Sequence, residues 1–402
     1  MHITATFSRA LLLALSLLLA IPYCPAQHGS VVWHTKVQGS IVESPVIHQG
    51  LVFVGSLDST LCAYQLNSGK VVWKVSVGGS IRTTPVIANQ KLFLNVDDGK
   101  LYCLDPQNGN LLWLFASFNG YIGDGSIDFA DYHASSPIIH QQTIYFGSGN
   151  QFYAVDAETG SLKWWFKADG PIHTKPALDG NRVYFGSFGG YVYALDANTG
   201  NKLWEFKTTG HSYFPKGEVT GNPVVRSGKV IVGARDYHLY ALDAQAGFCH
   251  WLKQFPKGWA LPITVTDSML LVGTSDDRLL LALAPESGTE IWRMNTGFNI
   301  FGACAIEKNT GYVGTLAGKL ISFDCKTGKA LWTFETEARK AHHDEFLTET
   351  DAYRADIGTI LKSSSDVLRM YKELGGVFST PALHAGKLVI SCYDGSIYCL
   401  QL

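Results

Sequence analysis

A small residue, a glycine six positions later and a tryptophan four beyond that recur in register seven times in this 402-residue chain, first as Ala63, Gly69 and Trp73. The set returns as Cys103/Gly109/Trp113, Ala154/Gly160/Trp164, Ala194/Gly200/Trp204, Ala241/Gly247/Trp251, Ala282/Gly288/Trp292 and Ser322/Gly328/Trp332. Spacing held this strictly marks a repeat array, in which each unit is one supersecondary element that buries its apolar face only against its neighbours.

Between the motifs lie short alternating apolar runs, such as Leu51 to Gly55 and Val183 to Gly186, separated by Gly, Asn and Asp turns. Such runs predict strands. Each unit of about 40 residues offers four: one after a proline (Pro45, Pro85, Pro137, Pro176, Pro223, Pro262, Pro381), a Gly-ended one, one with the small residue and one with Trp. Four strands per repeat make one propeller blade. An indole can lie across a neighbouring blade only where small residues make room. The run Ala194-Leu-Asp-Ala-Asn-Thr-Gly-Asn-Lys-Leu-Trp204 resembles the tryptophan-docking motif of pyrroloquinoline-quinone-type (PQQ-like) repeats, and the resemblance covers nearly the whole chain after its leader. An eighth tryptophan, Trp33, is read without its own small residue or glycine, whereas the last unit (Pro381, Cys399) stops at Leu402 before any Trp. The strand around Val31 to Val37 is therefore expected to complete that blade and close the ring. The expected fold is all-β: an eight-bladed propeller with Trp33, Trp73, Trp113, Trp164, Trp204, Trp251, Trp292 and Trp332 as docking residues.

Residues 10–21 form an apolar run behind Arg9, too short to span a bilayer comfortably. With Cys24-Pro-Ala26 ahead of Gln27, residues 1–26 are expected to be a secretory signal peptide, leaving 27–402 as one propeller domain with no transmembrane segment. Pro22-Tyr23 is a poor match to a lipoprotein signal, so lipid anchoring at Cys24 is not expected. Seven cysteines remain after the leader, an odd number that argues against a disulfide scaffold; Cys103 and Cys399 sit at the small-residue position. A net charge of −2 offers no electrostatic footprint for nucleic acid.

Long connections run from Trp113 to Pro137, Trp204 to Pro223 and Trp332 to Pro381, and all leave on the face that also carries the second-to-third-strand turns. That face is the functional candidate. Its turn acids, among them Asp58, Asp98, Asp277 and Asp394, are expected as turn formers. The stretch 335–375 has a helical rhythm and is expected as two short helices, with His342-His-Asp-Glu345 at a solvated helix start. In the 116–136 insertion Asp124, Asp128 and Asp131 do not reproduce a known calcium-loop spacing. Innermost strands line the channel, and the residues just before each proline ring its mouth. Arg82, His133, His173, Lys175 and Trp259 are thereby candidates for contact with an anionic ligand or a partner. Trp259 stands out because eight of the ten tryptophans already serve docking.

Quinone-dependent alcohol dehydrogenases of the resembled family hold PQQ against an adjacent-cysteine disulfide, with calcium on Glu, Asn and Asp; this chain has no Cys-Cys pair. No Gly-x-Ser-x-Gly elbow, phosphate loop or zinc motif is present, and no catalytic residues or cofactors are expected. The length and organisation resemble BamB-like outer-membrane assembly propellers. The resemblance implies an exported, monomeric, non-catalytic scaffold of the periplasm or outer-membrane periphery, with barrel-assembly components as partners. The alternative is a PQQ-dependent dehydrogenase-like or other propeller enzyme acting on a small molecule or glycan at the channel mouth.

Overall fold

The computed structural model describes residues 29–118 and 133–402. The leader expected over 1–26, with Cys24, and Asp124, Asp128 and Asp131 lie outside the described residues. Eight four-stranded antiparallel sheets follow one another around a ring. Blade one consists of Val46–His48, Leu51–Gly55, Thr60–Gln65 and Val71–Ser76, from the axis outward, and the later blades repeat that order. In blade eight the three strands Ala382–His384, Lys387–Ser391 and Ser396–Gln401 are completed by Ser30–Lys36 from the other end of the chain. Ser30 faces Gln401 and Trp33 faces Cys399, so the ring is closed by the expected strand.

The docking motif read along the sequence is not the set that meets in space. Within a blade the small residue lies directly across from Trp, as in Ala194 opposite Trp204, and a β-bulge follows each such pair. The indole then crosses to the glycine of the next blade. A Cβ on Gly200 would stand 2.6 Å from the Trp164 ring, and one on Gly247 2.6 Å from Trp204. Only a residue with no side chain admits this approach, and the positive φ of Gly247, +77°, also favours glycine. Six indole N–H groups donate to a turn carbonyl of the neighbouring blade, for example Trp33 to Leu66 at 2.7 Å and Trp164 to Ala197 at 3.0 Å. Trp33 is not without its glycine: Gly29, four residues before it, receives Trp332 of blade seven, a Cβ there standing 2.9 Å from that ring. The eighth motif is complete but divided between the termini.

Turn acids do structural work across blades. Asp58 accepts from Gly39 N–H at 3.1 Å and Asp277 from Gly258 N–H at 2.9 Å, each tying a second-to-third-strand turn to the connection entering its blade. The 335–375 stretch forms three helices rather than two: α1 (Glu337–Phe346), a single turn α2 (Ile357–Ile360) and α3 (Ser364–Glu373). Thr336 caps α1 and a Ser363/Asp366 capping box starts α3. His342 to Glu345 thus occupy the last turns of α1, not a helix start. The extra turn arises where Ile357 and Ile360 pack on the cluster beneath the helices, an apolar pair too short to show a period in sequence.

Trp204→Ala is expected to lower stability by about 3–5 kcal/mol, as for other large core truncations. Gly247→Ala is expected to cost at least about 1–2 kcal/mol through left-handed backbone strain alone, before the clash with Trp204. Urea unfolding followed by tryptophan fluorescence measures both.

Candidate functional site

The innermost strands leave a central cavity of about 440 Å³. Its waist is formed in seven blades by the residue immediately before the proline, or before Cys304 in blade seven, and most of these are linked from blade to blade. Ala303 N–H donates to Thr380 Oγ1 at 3.0 Å, Thr380 N–H to Ser44 Oγ at 3.0 Å, Ser44 N–H to Thr84 Oγ1 at 3.3 Å, and Thr84 N–H to Ser136 Oγ at 2.9 Å. Lys175 N–H donates to Asn222 Oδ1 at 2.7 Å. The belt depends on a short side-chain acceptor at this position, and it lapses where Lys175, Leu261 or Ala303 supplies none. Each link contributes roughly 0.5–1.5 kcal/mol to holding blades in register.

Among the described residues Glu43 is the acid of this cavity, 7% exposed. His133 Nδ1 lies 2.6 Å from Glu43 Oε1, and Thr84 donates its hydroxyl to Oε2 at 2.6 Å. His133 Nε2 is buried without a hydrogen-bond partner among the described residues. Lys175 also lines the cavity. Enclosure by surrounding protein pulls its ammonium below the ordinary lysine pKa, partly offset by the Glu43 charge.

Of the five candidates read from sequence, His133 and Lys175 reach the cavity, whereas Arg82, His173 and Trp259 do not line it. Arg82 is buried and paired through Nε with Asp97 at 2.6 Å. His173 is buried against the Phe188 ring, 4.3 Å between centroids. Trp259 is 9% exposed, edge-on to Phe214 at 5.3 Å and beneath the Arg235 guanidinium at 5.2 Å. In these blades the three-before-proline side chains thus pack against residues of turns and connections. Glu43 escaped the sequence reading because it lies two residues before its proline, between the columns examined. The signal was present: the same position in the other blades holds only Thr83, Ser135, Thr174, Gly221, Ala260, Gly302 and Ser379.

The helical insertion covers one side of this mouth. Phe346, Leu347, Met370, Tyr371 and Leu374 join Val42, Trp259, Phe298, Phe301, Phe378 and Tyr393 in one buried apolar cluster drawn from blades six, seven, eight and one. Phe301 and Phe378 face both ways, lining the cavity and touching this cluster. A buried ionic knot fixes the insertion to blade seven: Asp351 accepts from both Arg339 and Lys319, with His343 Nε2 at 3.1 Å. Arg339, 3% exposed, also donates to the Ala317 carbonyl at 3.0 Å and to Glu335 at 2.9 Å. Burial alone would raise the Asp351 pKa, but the hydrogen bonds from Lys319 and Arg339 hold it below its usual value of 3.8. His342 bonds Glu345 at 2.7 Å. Among the described residues no three His, Cys, Asp or Glu side chains are grouped to hold a metal ion, and all seven described cysteines are free. No described helix is long and apolar enough to cross a membrane.

The family model for outer membrane protein assembly factor BamB matches residues 24–121, 128–258 and 252–377. The chain belongs to the BamB family. The BamB of Burkholderia pseudomallei is 23% identical over 292 residues, 67% of this chain and 74% of that protein. That of Shewanella oneidensis is 25% identical over 128 residues, 29% of this chain and 32% of that protein. Among solved structures, BamB from Moraxella catarrhalis superposes with a TM-score of 0.65 at 16% identity, over 93% of this chain and 97% of that one. A quinohemoprotein alcohol dehydrogenase from Pseudomonas putida reaches 0.66 at 12% identity, over 93% and 76%. At such identities each superposition shows a common propeller fold alone.

Because the folded pKa of Asp351 is depressed, its stabilisation is complete above the ordinary carboxylate value and lost as pH falls through the folded one, below 3.8. Hydrogen exchange across 337–373 is expected to accelerate in that acid range before the blades open. Asp351→Asn should speed exchange there at neutral pH and flatten its acid dependence, since breaking a buried pair costs about 3–5 kcal/mol.

Proposed function

We propose that this chain is a non-catalytic propeller scaffold of the cell envelope that binds protein partners in outer-membrane β-barrel assembly. The observation that carries the proposal is the match to the BamB family model across residues 24–377. A location on the periplasmic side of the outer membrane, after export by the N-terminal leader, belongs to the same proposal. Kinship to dehydrogenases rests on fold alone, at 12% identity. The cavity acid Glu43 already has both oxygens engaged, by His133 and Thr84. A catalytic base would need one of them released.

The partner-binding surface is placed on the insertion-bearing face. Connections emerging there carry exposed aromatic side chains: Tyr213 is 79% exposed and Phe118 57%, the latter edge-on to exposed Trp165 at 5.8 Å. Exposed Tyr and Trp are the side chains most enriched at the energetic centres of interfaces. Asp236 and Tyr240 hold the Tyr213 loop through Thr209 and Gly210, so the ring presents it in a fixed position.

In-cell crosslinking of the tagged chain followed by mass spectrometry is expected to recover barrel-assembly components. Trp165→Ala with Tyr213→Ala should reduce that recovery by about tenfold or more, as loss of interface anchors does. Lys175→Met should leave it unchanged. Recovery that survives the aromatic double variant but fails with Lys175→Met would overturn the placement on this face.

A further inference from the structure

Blade two differs from the other seven at its outer rim. Its fourth strand, Leu111–Ala116, is the last of its sheet and pairs with the third strand on one side only. Every second residue of such an edge turns its N–H and C=O away from the sheet, a template for one more strand. The fourth strands of the other seven blades each carry at least one Lys, Arg or Glu, such as Lys74 in blade one, Lys163 in blade three and Arg293 in blade six. Charges at these positions keep an edge from pairing with another chain. Leu111–Ala116 has none, and no charged residue occurs from Pro106 to Phe118.

This edge is apolar where it is open. Leu111 and Leu112, at the β-bulge, are 55% and 48% exposed, and Leu114 is 41% exposed. Leu114 and Ala116 share one exposed face, while Phe115 between them is buried. Two residues beyond the strand, exposed Phe118 meets exposed Trp165 edge-on, so the open edge ends beside that aromatic pair.

An occupant must complete the backbone ladder without setting a charge against leucine, where the charge would lose its water. Area speaks against a second copy of the chain: contact through one six-residue strand falls well short of the about 800 Å² per partner of a stable interface. An extended segment needs less, because its main chain supplies the hydrogen bonds and it can run on to Phe118 and Trp165.

We propose that the outer edge of blade two captures an extended, uncharged segment with an apolar residue at every second position, the pattern of a transmembrane β-strand not yet paired in its barrel. The segment adds as a fifth strand, its apolar residues beside Leu112 and Leu114. Its source in a barrel protein rests on the scaffold reading above; the open edge does not.

Fluorescence anisotropy of a labelled nine-residue peptide alternating threonine with valine and leucine, titrated with the folded chain, tests the edge. Saturable binding is expected. Leu114→Lys should weaken it by about tenfold or more, whereas Leu203→Lys, at an exposed position of the charged outer strand of blade four, should leave it unchanged. The same peptide N-methylated throughout keeps its side chains but has no donors, and is expected not to bind. Hydrogen exchange across 111–116 should slow when the unmodified peptide is present. Absence of binding at roughly 100 μM protein, equal binding of the N-methylated peptide, or an affinity unchanged in Leu114→Lys would overturn the proposal. So would a wild-type dimer in sedimentation that Leu114→Lys makes monomeric, since the edge would then serve a second copy. Peptide binding without recovery of barrel-assembly components from cells would uphold the edge and remove the scaffold reading; recovery without peptide binding would do the reverse.

Discussion

The contact between an indole and a bare glycine backbone sets the geometry of this molecule. Each tryptophan leaves its own blade, where Ala, Ser or Cys stands opposite, and fills the gap to the next by lying on a glycine that could not carry even a methyl group. Shape and hydrogen bonding agree there, because the same indole N–H reaches the turn carbonyl three residues before that glycine in six of the eight junctions. Repeated around a circle, one local fit fixes the spacing between sheets, and the number of motifs fixes the number of blades. The cavity and the belt around it follow from that ring.

Much of this was legible because the motif repeats at constant spacing, and repetition turns a weak local signal into a strong one. Blade number, strand order and closure by the N-terminal strand could all be read. Gly29 stands four residues before Trp33, at the spacing of the other motifs, but the small residue that completes its motif, Cys399, lies in the last strand of the described chain, so the triplet is never seen together along the sequence. The candidate site was less legible. Lys175 and His133 line the cavity, but Arg82, His173 and Trp259 pack against turn and connection residues instead, and side-chain direction is set by packing rather than by register. Asp97, Phe188 and Phe214, which hold those three side chains, come from turns and connections far from them in sequence. The Asp351 knot was invisible for the same reason, joining α1, blade seven and a loop whose only common feature is where they meet.

The insertion and the cavity are parts of one arrangement. Phe301 and Phe378 belong at once to the cavity wall and to the apolar cluster beneath α1 and α3. The helices are therefore not a loose ornament on a regular ring. They complete the burial of aromatic side chains that inner strands of an unadorned propeller would leave at an open mouth. The ionic knot gives this apolar cover a defined seat, because Arg339 and Asp351 are buried and each satisfies the other.

Closure by strands from opposite ends also sets the timing of folding. Ser30 pairs with Gln401, and Trp332 has no glycine to rest on until Gly29 is in place. During synthesis the first strand must wait through seven blades for its partner, and the growing chain is an open arc with an unpaired sheet at each end. Pairings this distant form late and slowly. Until the strand Ser396–Gln401 emerges, the chain remains a set of stacked sheets with the ring unclosed. Arrival of its C-terminal strand converts it, in one event, into a ring without ends.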